Sequence, residues 1–297
     1  GGGLVKLGFG QNISIMATFR TSTQCREWMF SEEELKKIRG GILSGLQENL
    51  DGDSITVAEW EVYCLLQQRT VVEWCNKLGF DMDTVGATAV CFLKRYFLRV
   101  KERVFSMNYI KAAAIFLACK AEEQYVALER LVSGLGRDAR VELEKDTLAA
   151  AEIHVLESIL FHLHVYHPFR SLRGFINDVK ACTTPGNAVA VDRIYHEALI
   201  ITRKSILTDL CLLYTPGSIA FVALRMAANA ADHLGIIDQY ITSTFTAEQI
   251  GQISGNVDQL MRIEKVLEEG LPSQLPPHVV PIVEKIDTVE TTPMSIS

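Results

Sequence analysis

The chain reads as an all-α protein, and three observations predict that class. None of its 8 prolines lies before Pro168, so nothing up to that point breaks a helical ladder by lacking an N–H and clashing with the preceding turn. Apolar residues in that stretch recur at three- and four-residue spacing, the period that gathers them on one helix face. No alternating β-branched run with hairpin turns competes with the pattern. The 297 residues, 48% apolar and 22% charged, have an ordinary globular composition. At roughly 150 residues per domain they suggest two domains, each able to bury a core without disulfides or metals.

The opening Gly1-Gly2-Gly3 stretch is unlike the rest of the chain in composition. Residues 1–15 are expected to be a linker or expression scar, with Met16 as the natural start. An N-terminal segment over 16–54 contains a capping box, because the Ser31 hydroxyl can accept from a free amide while Glu34 reaches back. A helix is expected from Ser31 to Arg39, ended by Gly40-Gly41.

A first compact unit is expected over 55–165. Trp60, Tyr63, Cys64, Val71, Trp74, Cys75 and Leu78 build one helical face there. Val85, Ala89, Phe92, Leu93, Tyr96 and Phe97 build a second. Met107, Ile110, Ala113, Ala114, Leu117 and Ala118 build a third, and Leu148, His154, Val155, Ile159 and Leu163 come later in the unit.

A break falls at 162–169, where Pro168 suits the first turn of a new helix because its missing N–H costs nothing. The second unit, 166–270, is expected to hold helices at about 169–180, 187–208, 216–234 and 246–267. Thr183-Thr184-Pro185-Gly186 and Thr215-Pro216-Gly217 connect them. The tail, 271–297, is richer in Pro, Thr and Ser and is expected to be loosely held, with one short helix at about 279–288.

The two halves echo each other. Setting Met107 against Pro216 lays Ala113-Ala114-Ile115 over Val222-Ala223-Leu224 and Leu117-Ala118-Cys119 over Met226-Ala227-Ala228. Small residues let helices approach closely, so each half is expected to wrap its helices around one Ala-rich axis. Any two apolar helices match moderately well, so the echo is weak alone.

A net charge of −7 and a pI near 5.6 exclude a generally basic, duplex-binding chain. The seven cysteines are odd in number, lack CxxC spacing and mostly sit among apolar residues (Cys64, Cys75, Cys91, Cys119, Cys211). They read as reduced thiols in a cytosolic or nuclear setting. The longest wholly apolar run, Ala112 to Cys119, is far short of the ~20 residues that span a bilayer.

Lys94, Arg95, Arg99, Lys101 and Arg103 form the most basic stretch, opposed only by Glu102. It reads first as a solvated face, and second as a site for an acidic or phosphorylated segment. His162, His164 and His167 lack the spacing of a zinc site. Gly134-Leu135-Gly136 reads as a turn instead of a phosphate loop, and there is no GxSxG nucleophile elbow.

Two stretches carry a family resemblance. Val90-Cys91-Phe92-Leu93-Lys94-Arg95-Tyr96-Phe97, with Phe116-Leu117-Ala118-Cys119-Lys120-Ala121-Glu122-Glu123 after it, resembles the cyclin box. Val165-Tyr166-His167-Pro168-Phe169-Arg170 and Asp209-Leu210-Cys211-Leu212-Leu213-Tyr214-Thr215-Pro216 resemble the transcriptional cyclins. Residues 24–35 are similar to the amino-terminal helix region of the cyclin H group, with the cyclin C group as near rival. The resemblance spans about residues 21–267.

It implies the cyclin fold: two five-helix repeats flanked by an N-terminal helix, with room for a C-terminal one. The implied function is that of a nuclear regulatory subunit activating a cyclin-dependent kinase, in the H group that of the CDK-activating kinase within TFIIH. A RING-finger assembly factor is the usual third member. The chain itself would do no catalysis and take no cofactor or metal, no direct nucleic acid and no membrane. An all-helical enzyme and a helical scaffold or general transcription factor are the other classes, but the basic DNA face and zinc-ribbon cysteines of such factors are missing.

The family's kinase-binding Lys ends the Phe-Leu-Ala-Cys-Lys segment, which is Lys120 here. Its Glu lies nine residues before an aromatic, and counting back from Phe161 gives Glu152. Phe116, Tyr125, Val126 and Leu156 would add apolar anchors. As bare residues these read differently: Lys120 favours the helix dipole, Glu152 is a solvated face residue, and the four apolar side chains are core. Glu122 and Glu123 offer themselves as local partners of Lys120. Tyr63-Cys64-Leu65-Leu66-Gln67-Gln68-Arg69-Thr70 departs from the Met-Arg-Ala-Ile-Leu docking groove of cell-cycle cyclins, so RxL-type docking is not expected.

Overall fold

A computed structural model gives the fold and describes residues 19–47, 54–100, 104–248 and 257–287. The described residues form fourteen α-helices and no strand, as the periodicity predicts. In chain order these are α1 (Thr23–Glu27), α2 (Glu32–Gln47), α3 (Val57–Leu78), α4 (Ala87–Phe97), α5 (Met107–Ala121), α6 (Leu128–Gly134) and α7 (Lys145–Ser158). Then come α8 (Pro168–Cys182), α9 (Ala188–Ile206), α10 (Leu210–Leu213), α11 (Pro216–Ala230), α12 (Leu234–Thr244), α13 (Val257–Glu268) and α14 (Val280–Asp287). The chain divides into two compact units, Phe30–Val165 with Leu271–Ser297, and Gly1–Met29 with Tyr166–Gly270.

The first unit is built around α5. Met107, Ile110 and all of Ala112 to Cys119 are buried, with α3, α4 and α7 packed about them. Alanine's short side chain is what lets three neighbours close on one axis. In the second unit α11 takes the same place among α8, α9, α12 and α13.

The repeat is structural, at the offset of 109 residues that separates Met107 from Pro216. Both axial helices are 15 residues long, and they end alike. Gln124 N donates to Cys119 O at 2.8 Å, and His233 N to Ala228 O at 2.8 Å. Glu123 (φ 56°) and Asp232 (φ 58°) are left-handed at matching positions, the conformation that closes a helix by satisfying its last carbonyls.

Several boundaries differ from expectation. The helix at Ser31 does not stop at Gly40-Gly41 but runs to Gln47. Its continuation buries Leu43 beside Leu35 on one face, which outweighs the roughly 1 kcal/mol that each interior glycine costs. The capping box is present: Glu34 accepts from Ser31 N at 2.8 Å and Ser31 Oγ accepts from Glu34 N at 3.2 Å. The helix expected over 216–234 ends at Ala230, and a separate α12, which the periodicity does not resolve, comes after it. The break is made by an Asp in the left-handed region, with no proline or glycine to announce it.

Gly134-Leu135-Gly136 is no turn, since α6 continues into a π-helical turn over Leu135–Ala139. A Cβ on Gly134 would stand 2.5 Å from Leu78 Cδ2, so glycine serves close helix packing there. Of the helix expected over 246–267, residues 249–256 lie outside the described residues, as do 1–18 with Met16 and the tail beyond Asp287.

The tail up to Asp287 is not loosely held. Val279, Ile282 and Val283 are buried within the first unit. Arg69 Nη2 donates to Leu271 O at 3.3 Å, and His278 Nε2 lies 2.6 Å from Glu59 Oε1. In the second unit the Gln24 amide clamps the Tyr166 backbone, accepting from its N–H at 2.7 Å and donating to its carbonyl at 3.3 Å.

None of the seven cysteines forms a disulfide. Burial pushes the Cys75 thiol up to about 12 and Cys119 up to about 11. No described helix is long and apolar enough to cross a membrane.

α3 opens on a second capping box, in which Thr56 N and Oγ1 both donate to Glu59 and Glu59 N donates back to Thr56 Oγ1. Thr56→Ala is expected to lower stability by about 1 kcal/mol in urea unfolding at pH 7. The Thr56 backbone bond, then its hydroxyl, hold the Glu59 carboxyl below its ordinary 4.5. A lowered carboxyl adds stability that is complete above that ordinary value and is lost as pH falls through the folded one. Acid unfolding of Thr56→Ala should therefore be less steep below pH 4.5 than that of the wild type.

Candidate functional site

The last turn of α5 and the middle of α7 lie side by side in the first unit. Lys120, in that last turn, donates to both oxygens of Glu152 at 2.7 and 2.9 Å. Its ammonium also sits 4.3 Å from the centre of the Phe116 ring, one turn earlier. The Lys120 side chain is 52% exposed and that of Glu152 13%. Phe116 is buried beneath them.

Exposed apolar side chains lie on α7 and on the segments that follow α5 and α7. Tyr125 is 93% exposed, Phe161 64% and Ile153 59%. Leu160 is exposed too, while Val126 and Leu156 are half-buried. Of the four apolar candidates, only Phe116 is core in the full sense. Ile153 and Leu160 are members of this set that the sequence motifs do not point to, although Ile153 carries a signal. It is a β-branched residue off the Leu148, Val155 and Ile159 stripe, on the outward face of α7.

The pair is chemically unsaturated. An ammonium has three donors and a carboxylate about four acceptor sites, so one donor and two acceptor sites remain after the mutual bonds. A partner's free backbone carbonyl and N–H fit that remainder. An ion pair this exposed contributes roughly 0–1 kcal/mol to stability.

The second repeat supplies an internal control. At the same offset Asn229 stands in place of Lys120, Met261 in place of Glu152 and Arg225 in place of Phe116. The helices are retained there without the ion pair or the aromatic floor. The fold thus does not require the constellation.

Glu122 and Glu123 are not the partners of Lys120. Thr88 Oγ1 donates to Glu122 at 2.5 Å, and Glu123 forms the left-handed helix end. The basic stretch is not a solvated face either. Lys94 and Arg95 are 3% and 2% exposed, because their helix packs on all sides and takes its long side chains inward. Arg99 is exposed, and residues 101–103 lie outside the described residues. Among the described residues no three or more His, Cys, Asp or Glu side chains gather as metal ligands.

Residues 67–164 match the cyclin N-terminal domain and residues 167–271 the cyclin C-terminal domain. The chain is 25% identical over 296 residues to Cyclin-H1-1 of Arabidopsis thaliana, covering 86% of this chain and 85% of that one. It superposes on a chain of the CAK complex from Chaetomium thermophilum with a TM-score of 0.75 at 23% identity, covering 92% and 89% of the two. Against a chain of the yeast TFIIK (Kin28/Ccl1/Tfb3) complex the TM-score is 0.66 at 22% identity, covering 84% and 100%.

Proposed function

The chain belongs to the cyclin family, and from that premise we propose that it is a regulatory subunit that binds and activates a cyclin-dependent protein kinase. Its role is that of cyclin H in a nuclear CDK-activating kinase of the TFIIH type. The similarity to Cyclin-H1-1 and to chains of CAK and TFIIK complexes supports this assignment. TFIIK also contains Tfb3, so a third, assembly subunit is part of the proposal.

One observation carries the kinase-binding role. Lys120, Glu152 and Phe116 form an unsaturated, polar and aromatic cluster on an open face of the first repeat, and the second repeat keeps the helices without it. Lys120 would donate to free carbonyls and Glu152 accept from free amides near the kinase's mobile αC helix. Phe116, Tyr125, Val126 and Leu156 would supply apolar anchors, joined by Ile153 and Phe161.

The mechanism is a population shift. An active kinase holds αC inward so that its Lys–Glu ion pair can position the phosphates. Contacts available only to that inward state select it. Moving an equilibrium from 1:99 to 99:1 takes about 5.5 kcal/mol of differential binding. Two hydrogen-bonding residues alone fall short of this, so the apolar rim has to contribute.

The test is kinase activity on a polymerase-tail repeat peptide and on a CDK activation-loop substrate. TFIIH-type and Mediator-type kinases of one organism are each assayed with and without the chain. Activation of the TFIIH-type kinase alone is expected. Activation of the Mediator-type kinase alone would make the chain a cyclin C, and activation or binding of neither would leave a helical scaffold.

A further inference from the structure

α7 closes with the same backbone pattern as α5, Phe161 N donating to Leu156 O as Gln124 N does to Cys119 O, but it carries a second left-handed residue where α5 and α11 have one. Leu160 (φ 59°) and Phe161 (φ 58°) are consecutive left-handed residues, neither of them glycine, a conformation that a Cβ close to the following carbonyl oxygen disfavours. Both are exposed, Phe161 at 64%. Phe161 N donates to Leu156 O at 3.0 Å and Leu163 N to Phe161 O at 3.1 Å, so the turn is tightly wound.

Arg95, 2% exposed on α4, donates through Nη1 to the His162 carbonyl at 2.6 Å. The second repeat has a counterpart and a difference. Lys204, at the position of Arg95, donates to the Leu267 carbonyl inside the last turn of α13. A basic side chain capping the fifth helix is therefore a device of the repeat itself. In the first repeat the longer guanidinium reaches past the helix end to the carbonyl just after the left-handed pair. Where the first repeat has Leu160 and Phe161, the second has Glu269 and Gly270.

From this geometry we infer that Arg95 is a positioning residue for kinase binding. By fixing the His162 carbonyl it holds the strained Leu160-Phe161 turn so that Phe161 projects from the end of the helix that carries Glu152. The inference rests on the kinase-subunit reading and adds a residue to it that touches no partner.

The experiment is a double-mutant cycle between Arg95→Met and Phe161→Ala in the full chain, with partner-kinase affinity read by calorimetry and folding by thermal denaturation. Arg95→Met is expected to weaken kinase binding about 10-fold in the wild-type background, and less than about 2-fold in the Phe161→Ala background. Equal factors in both backgrounds would mean a merely structural role and overturn the inference. So would an unchanged affinity in Arg95→Met. If Lys120→Ala weakens binding while the Arg95 and Phe161 effects multiply independently, the kinase reading stands and this inference falls. A wild-type chain that binds no kinase overturns both.

Should Arg95→Met fail to fold, Arg95→Lys takes its place. Its shorter side chain is expected to leave the His162 carbonyl, and to speed amide exchange at Phe161 and Leu163 in the free protein. Unchanged exchange together with unchanged affinity overturns the inference.

Discussion

Replacing Lys120 and Glu152 together by Ala is expected to abolish kinase activation while leaving the chain folded. Each side chain is proposed to make charge-assisted bonds to the kinase backbone in a desolvated interface, worth about 1.5–3 kcal/mol apiece. Affinity should therefore fall by roughly 10² to 10⁴, at 1.4 kcal/mol per factor of ten. The free protein should lose little. The pair is exposed on the Lys120 side, contributes roughly 0–1 kcal/mol, and is dispensed with in the second repeat. Its Tm should shift by less than about 4 °C. The two single variants should not add up to the double, because the groups bind each other and share one partner. A double variant that activates the kinase like the wild type would remove both residues from the interface.

The second large effect is expected in the cores. Ala114 and Ala223 occupy matching positions in α5 and α11, and both are 0% exposed. Enlarging either to Leu inserts a branched side chain where several helices meet one axis. Overpacking of this kind costs about 1–3 kcal/mol and sometimes more, and the upper end is expected because neighbours enclose the position on all sides. Tm should fall by roughly 6–12 °C in either variant. Exposed Ile153→Ala serves as the contrast and should change stability by no more than about 0.5 kcal/mol. A loss below about 1 kcal/mol in Ala114→Leu would mean that the axis is not close-packed.

Much of the candidate site is legible one residue at a time. Lys120 closing an Ala-rich helix and Glu152 nine residues before Phe161 are local facts. That Lys120 pairs with Glu152 and not with adjacent Glu122 is not local, because it depends on α5 and α7 lying side by side. Helix geometry points successive residues away from each other, so nearness in the chain is a poor guide to the partner. Tyr125 illustrates the opposite error. By type it reads as core, yet no element covers it and it is 93% exposed.

Periodicity and proline placement determine the fold class, the break at Pro168 and the Ala-rich axes, because backbone hydrogen bonding and the helical repeat are local physics. The echo between Met107 and Pro216 is visible in the residues, but only matched helix lengths and matched left-handed ends make it a structural repeat. Burial of Leu43 carries a helix through two glycines that would have ended it alone. Burial likewise turns Lys94 and Arg95 from a solvated face into interior groups. Tertiary contact decides these points because burial and long-range hydrogen bonds contribute energies as large as the local preferences they overrule.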